Sequence, residues 1–305
     1  MDKKGRERIG LDNSDLGGTQ KLDLWFHDSA EITFGCRMSV KIKSVLCHYR
    51  SAFQEIAVLD TERMGRMLVL DDITMLTEFD EFAYHEMIVH VPMLVHPHPS
   101  RILVIGGGDG GAVREVLKHP SVSEIHLCEI DEEVINACRK FLPSLASSFD
   151  DPRVKVYCED GAGFVKEHPD SYDVIIVDST DPIGPGQVLF QREFYEDTKR
   201  ALTGDGIAVT QCESLYFHKA VIRGVSSFAG EIYPKVGYYY TLVPTYPSGI
   251  IGFLSCSLKY DPLTDFSRER AAALPDLRYY TPALHQAAFC LPRFGEALIH
   301  PEGKA

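Results

Sequence analysis

The sequence predicts an α/β protein, a mostly parallel doubly wound sheet preceded by a small antiparallel β domain. Three observations predict it. The apolar run Ile102-Leu103-Val104-Ile105 passes straight into Gly106-Gly107-Gly108-Asp109-Gly110-Gly111, as a buried parallel strand turning tightly into a helix does. Strand and helix signals then alternate as far as Thr210, the mark of repeated βα units. Between Leu24 and Leu76 the pattern is strand-like instead, with alternating apolar positions, the period of half-buried strands.

In order, residues 39–45, 55–59 and 66–70 read as the strands of the first domain, with a turn at Met64-Gly65. Trp25, the single tryptophan, stands before the first of them and by itself reads as a packing residue. Phe82, Met87, Ile88 and Val91 recur at helical spacing around Tyr84 and His85, and Pro92 is expected to break that helix. Past the glycine run and a helix beginning near Ala112 come a strand over 124–128, a helix over 132–141, a strand over 154–157 and a helix over 163–167. A strand over 174–177, a helix from 194 to 201 and a strand over 207–210 complete the alternation. Residues 236–241 and 252–256 are expected to add an antiparallel edge, as in many mixed sheets.

Composition sets limits on this plan. A chain of 305 residues with 45% hydrophobic and 25% charged residues has material for one large domain and a smaller one, with an ample core. The formal net charge of −13 argues against nucleic acid as a partner and suits cationic substrates. Eight cysteines, at 36, 47, 128, 138, 158, 212, 256 and 290, form no Cys-x-x-Cys pair. They are expected as buried reduced thiols, and no metal site is expected. No run of 18 apolar residues occurs, so no membrane span is expected. Residues 1–21 are charged and lack an apolar segment, which reads as a disordered leader on a cytoplasmic protein. The expected division is the leader 1–21, a β domain 22–78 and a catalytic α/β domain 79–305.

The glycine run fits G-x-G-x-x-G through Gly106, Gly108 and Gly111, and Glu129 closes the next strand, where a ribose would be gripped. A dinucleotide, a sulfonium nucleoside or no ligand at all are the competing readings. Asp109 in the middle of the loop favours the sulfonium, because a carboxylate there repels a pyrophosphate and holds a cation. Acids then follow strand after strand: Asp109, Glu129 with Asp131, Asp160, and Asp178 with Asp181. Asp131 alone reads better as a helix N-cap. Ligands of open α/β sheets bind beyond the carboxyl ends of the strands, and like charges gathered there call for a cation between them.

Four stretches carry a family resemblance: the glycine run itself, Cys128-Glu129-Ile130-Asp131, Asp178-Ser179-Thr180-Asp181-Pro182-Ile183-Gly184-Pro185, and Pro244-Thr245-Tyr246-Pro247-Ser248-Gly249. With Asp80-Glu81-Phe82-Ala83-Tyr84-His85-Glu86-Met87 and Arg278-Tyr279-Tyr280, the chain from Trp25 to Leu298 resembles the spermidine synthases, the polyamine aminopropyltransferases. The resemblance implies an N-terminal β domain on a methyltransferase-like Rossmann domain, as a homodimer or homotetramer. It implies transfer of the aminopropyl group of decarboxylated S-adenosylmethionine, a co-substrate, to putrescine, with no cofactor and no metal. By the same resemblance Glu129 accepts the ribose hydroxyls, Asp160 with Gly161 takes the adenine amino group, and Gln54 and Pro185 add nucleoside contacts. Asp109 holds the donor's ammonium and His85 orients both substrates. Asp178 is the base, while Asp181, Tyr84, Tyr246 and Trp25 line the acceptor pocket. Gly184 and Gly186, with the prolines around them, would form a mobile flap.

Phe79 and Asp72 depart from the family pattern, which carries a basic residue and a glycine there. Agmatine, cadaverine, spermidine or a carboxylated amine as acceptor, putrescine N-methylation, and a silent regulatory homologue are the other functions weighed. Asp109 speaks against methylation, whose donor keeps its carboxylate, and Asp178 speaks against a silent copy.

Overall fold

The structure, a computed structural model, describes residues 23–182 and 184–299, without the side chain of Pro185. The leader expected over 1–21 lies outside the described residues.

Five strands, β1 (Leu24–His27), β2 (Ser39–Arg50), β3 (Glu55–Thr61), β4 (Arg66–Leu70) and β5 (Ile73–Thr77), form an antiparallel sheet in chain order. The middle three are the strands that the sequence predicts. Trp25 lies within β1 rather than before the first strand; β1 is an almost wholly exposed edge strand, so burial leaves no period-2 signature on it. β4 and β5 are joined by Asp71 and Asp72 alone, at φ 48° and 63°, the left-handed pair that a two-residue hairpin of this twist demands. Asp72 thus sits where glycine is conformationally cheaper. Its carbonyl accepts the Ser29 backbone N–H at 3.0 Å.

The second sheet has seven strands: β6 (Arg101–Gly106), β7 (Glu124–Cys128), β8 (Val154–Tyr157), β9 (Tyr172–Asp178), β10 (Leu202–Gln211), β11 (Lys235–Leu242) and β12 (Ile250–Ser257). Their order is β11-β12-β10-β9-β6-β7-β8. Strands β6 to β10 pair in parallel, while β12 runs antiparallel to β10 and β11. This is the mixed edge that the sequence predicts. The chain leaves β6 toward β7 on one side and returns to β9 on the other, so the switch point falls beside the glycine run.

Helix α1 (Glu81–Val95) joins the two sheets, and all its residues except Phe82 are buried. It packs Met87, Ile88 and Val91 into one core with Ile56 and Leu68 of the first sheet and Val104 and Val209 of the second. Pro92 does not break it. The helix forgoes one hydrogen bond there, but Met93, Leu94 and Val95 are buried behind it and His96 N–H still donates to the Pro92 carbonyl at 3.0 Å. The remaining helices are α2 (Gly111–Val116), α3 (Glu132–Phe141), α4 (Pro143–Ala146), α5 (Gly161–Glu167), α6 (Arg192–Ala201), α7 (Lys219–Ile232), α8 (Arg268–Ala273), α9 (Pro282–Ala288) and α10 (Arg293–Ile299). Strands β7 and β8 and helix α3 keep the bounds read from the sequence. Helix α7, with Ile222, Val225, Ala229 and Ile232 buried at helical spacing, falls outside that reading.

Two of the quoted motifs meet in space. The buried Glu86 carboxylate accepts the backbone N–H groups of Arg278, Tyr279 and Tyr280 at 2.8, 2.9 and 2.7 Å, fastening the C-terminal segment to α1. The eight cysteines are unpaired, but only Cys128, Cys138, Cys212 and Cys256 are buried; Cys36 and Cys47 are half-buried and Cys158 and Cys290 exposed. The expectation of uniformly buried thiols is corrected, because both exposed ones lie in connections outside the strands. Among the described residues no helix is long and apolar enough to cross a membrane.

Candidate active site

The carboxyl ends of β6, β7, β8 and β9 open into a cleft of about 1560 Å3, counted to its mouth and roofed by residues of β4 and β5. The glycine run wires these strand ends together. Gly106 and Gly107 take φ of 74° and 66°, and Gly107 N–H donates to the Asp178 carbonyl at 2.9 Å. A Cβ on Gly106 would fall 2.2 Å from that same oxygen, so no side chain fits. Gly108 N–H and Asp131 N–H donate to the two oxygens of Glu129 at 3.2 and 3.0 Å. The loop that carries Asp109 is therefore tied directly to Glu129 and Asp178.

Most of the residues singled out from the sequence line this cleft. Asp109, Glu129, Asp160, Gly161, Asp178 and Asp181 come from the second sheet, Tyr84 and His85 from α1, Gln54 from the turn before β3, and Tyr246 from the β11–β12 connection. Trp25 does not: it is 47% exposed, hydrogen-bonds Asp23 at 3.3 Å and lies outside the cleft lining. Pro185 is not described at the side-chain level. Phe79, 52% exposed, is also outside the lining.

His85 stands between two carboxylates. Its Nδ1 is 2.7 Å from Glu81 Oε2 and its Nε2 3.3 Å from Asp109 Oδ1. Burial disfavours the charged ring, yet Asp109 and Glu81 hold its pKa well above the ordinary histidine value. Burial likewise works against ionised Asp109, and His85 overcomes it and keeps that carboxyl below its usual range. Arg114 braces the arrangement with both terminal nitrogens on Glu81, at 3.0 and 2.9 Å. His85, Asp109 and Asp178 place one ligand-type atom each within 4.8 Å of one another. Both ring nitrogens of His85 are already engaged by carboxylates, which leaves Asp109 and Asp178 as the members of the trio that can meet a positively charged group.

The Tyr84 hydroxyl donates to Asp178 at 2.7 Å. Burial, followed by the charge of Asp109, raises the Asp178 pKa to about 6. Burial raises Glu129 to about 7, and burial with Glu213 nearby raises Asp181 to about 7. Among the described residues no lysine or arginine lines the cleft; His85 and His218 are the internal counter-charges, and the carboxylates outnumber them, which favours external cations. The Tyr246 ring stands edge-on to Tyr84, centroids 6.4 Å apart, and its hydroxyl is anchored on the Met75 carbonyl at 2.7 Å.

Asp160 also caps α5, accepting the N–H groups of Ala162 and Gly163 at 3.1 and 3.3 Å. Asp131 caps α3 through Glu133 N–H at 3.1 Å, as its position predicts, and takes the Gln54 side-chain amide at 2.9 Å. Gly184–Phe190 forms a 3-10 turn from which Gly186, Val188 and Leu189 reach the lining.

The lining further includes Asp28, Glu31, Asp80, Glu213 and His218, to none of which sequence reading assigns a role. Glu213 follows the end of β10 as the other acids follow their strands, so the same rule finds it. Glu31 sits in a turn between β1 and β2 with no pattern around it. Asp80 fixes the joint between sheets, accepting the Thr77 hydroxyl at 2.7 Å and the Thr245 N–H and hydroxyl at 2.8 and 2.9 Å.

Comparison with known proteins gives the same direction over nearly the whole chain. Residues 81–268 match the family model described as the spermine/spermidine synthase domain, and residues 24–78 that of the spermidine synthase tetramerisation domain. The chain is 50% identical over 277 residues to a polyamine aminopropyltransferase of Moorella thermoacetica, covering 90% of this chain and 96% of that protein. It is 45% identical over 270 residues to spermidine synthase of Dictyostelium discoideum, covering 88% and 95%. A crystal structure of spermidine synthase in complex with the transition state analogue AdoDATO superposes with a TM-score of 0.88 at 38% identity, covering 90% and 94%. Spermidine synthase from Thermotoga maritima superposes with a TM-score of 0.85 at 36% identity, again covering 90% and 94%.

Proposed function

The chain belongs to the spermine/spermidine synthase family, and from that premise we propose that it moves the aminopropyl group of decarboxylated S-adenosylmethionine to putrescine. The C–S bond of the sulfonium breaks, a C–N bond forms, and methylthioadenosine, spermidine and a proton leave. The observation that carries this reading is the convergence of Asp109, Glu129, Asp160 and Asp178 on one cleft that, among the described residues, no Lys or Arg side chain lines.

Glu129, at the end of β7, accepts the ribose hydroxyls, and Asp160 with Gly161 meets the adenine edge. Gln54 and Pro185 complete the nucleoside contacts. Asp109, ordered by His85, faces the donor's ammonium; an added carboxylate on the donor would be repelled there, which disfavours ordinary S-adenosylmethionine and N-methylation. Asp178 removes a proton from the attacking amine, since an alkylammonium has no lone pair. The sulfonium is already a good leaving group, so in-line placement supplies much of the remaining acceleration. Asp181, Tyr84 and Tyr246 line the acceptor's path, and the segment from Gly184 closes over it. Trp25 reaches this path only by a rearrangement of β1 or from another protomer.

Assembly into a homo-oligomer, a tetramer through residues 24–78, is part of the proposal. So is a cytoplasmic location, which the eight unpaired thiols support because reducing compartments keep them so. Incubation of the purified protein with decarboxylated S-adenosylmethionine and putrescine tests the reaction. Methylthioadenosine and spermidine are expected in equal amounts. No methylthioadenosine above background, or faster release with agmatine, cadaverine or spermidine as acceptor, would overturn the assignment.

A further inference from the structure

A second group of carboxylates lines the same cleft away from the donor contacts. Glu31 comes from the turn after β1, Glu213 from the end of β10 and Asp181 from the loop after β9. Glu31 Oε2 and Glu213 Oε1 are buried oxygens without a hydrogen-bond partner, and the two residues are 4% and 1% exposed. Buried carboxylate oxygens left unpaired are costly unless something positive comes to them. Glu213 also holds a left-handed backbone at φ 62°, fixed by the Tyr238 hydroxyl on its carbonyl at 2.7 Å.

The cation already there is His218. Its Nδ1 lies 2.8 Å from Glu213 Oε2 and its Nε2 3.8 Å from Glu31 Oε1. It is the N-cap of α7, yet its side chain makes no capping bond. The charged groups that act on it are Glu213, Glu31 and Asp181, while Lys219, next on its helix, lies over the Phe294 ring at 5.6 Å. We propose that His218 is a built-in competitor for the acceptor's second ammonium group, bridging Glu31 and Glu213 and so setting how strongly this end of the cleft prefers a diammonium acceptor over a monoamine. The inference rests on the reading of the cleft as an amine-acceptor site and assigns a specificity-determining role to a residue outside the transfer chemistry.

Charge on the ring follows from its neighbours: burial opposes it, and the Glu213 carboxylate, 2.8 Å from Nδ1, raises the His218 pKa above the ordinary value. Raising the pH through that range removes the competitor and leaves the carboxylates to the acceptor. The test titrates 1,4-diaminobutane and butylamine calorimetrically into the protein saturated with 5′-methylthioadenosine, between about pH 6 and 9. In the parent protein, the preference for the diamine, read as the ratio of dissociation constants, is expected to rise about tenfold across this range, the scale of one pKa unit of interaction. His218→Gln should start from a higher preference and keep only the shallower rise that Asp181, titrating at about 7, and Glu31, raised by burial, contribute, and His218→Lys, a permanent cation, should hold the low preference. A His218→Gln protein that keeps the parent's pH course, or a His218→Lys protein that discriminates as His218→Gln does, overturns the inference. Because binding is read without turnover, His218-dependent diamine binding with no aminopropyl transfer would spare this inference and sink the proposed reaction, and normal transfer with a His218-independent ratio would do the reverse.

Discussion

The Tyr84 hydroxyl engages one oxygen of Asp178, Oδ1, at 2.7 Å, while the other, Oδ2, is buried and has no partner. One oxygen is thereby oriented and the second is left with its lone pairs free to receive a proton. Asp178→Asn removes the acceptor of that proton while keeping the shape. We expect kcat to fall about 10²- to 10⁴-fold, the usual worth of a general base, with nucleoside affinity within about threefold of the parent by calorimetry. Turnover unchanged in that variant would remove Asp178 from the mechanism.

Carboxyls with raised pKa values give the reaction an acid limb. Asp178 titrates at about 6 and Glu129 and Asp181 at about 7, and each acts as an anion in the proposed roles. As pH falls from 8 to 5, kcat/KM should therefore drop through this range, with a log slope steeper than one because more than one group is lost. A profile flat from pH 8 to 5 would contradict the assignment of these acids.

The same raised values predict a conflict between stability and use. A carboxyl whose folded pKa lies above its unfolded one favours the native state when protonated, and that contribution is lost as pH rises from the unfolded value through the folded one. For Asp181 the window runs from about 4 to about 7. Asp181→Asn should match the parent near pH 4 and be more stable by about 1–2 kcal/mol at pH 8, discounted for the partial exposure of the group. Denaturant midpoints at the two pH values check this, and an equal gap at both would show that Asp181 carries no such strain.

Gly111 is where the loop makes room for His85. A Cβ there would lie 2.2 to 2.5 Å from three atoms of the imidazole ring, and that ring is fixed on both sides by carboxylates. Gly111→Ala should cost about 1–3 kcal/mol through overpacking and lower kcat/KM at least about tenfold by moving His85 off Asp109. An alanine variant with parental kinetics would mean that the ring's position is immaterial.

How much of this was readable in advance follows from where each signal resides. The glycine run and the acid at each strand end are local features of single βα units, so Asp109, Glu129, Asp160 and Asp178 could be picked out and their convergence foreseen. Glu213 obeys the same rule but follows a strand near the end of the alternation, where apolar runs dominate the reading. Glu31 and His218 come together only because a turn of the first sheet folds over the second, a contact between residues 187 positions apart that no local pattern records. The passage of α1 through Pro92 is likewise a tertiary effect, in which burial of Met93 and Leu94 offsets a missing hydrogen bond. Trp25 shows the converse: the resemblance places it beside the acceptor, whereas the strand carrying it lies exposed at the edge of its sheet.

A cleft walled with carboxylates and, among the described residues, lined by no lysine or arginine acts beyond contact distance. On a chain of net charge −13, its field extends about a Debye length into solvent, about 8 Å at physiological ionic strength. Doubly charged amines diffusing past are drawn toward the mouth before any hydrogen bond forms, and focusing of this kind raises encounter rates by about ten- to a thousandfold. Capture should consequently slow as salt is added, while the rate of the chemical step, taken inside the closed cleft, stays as it was.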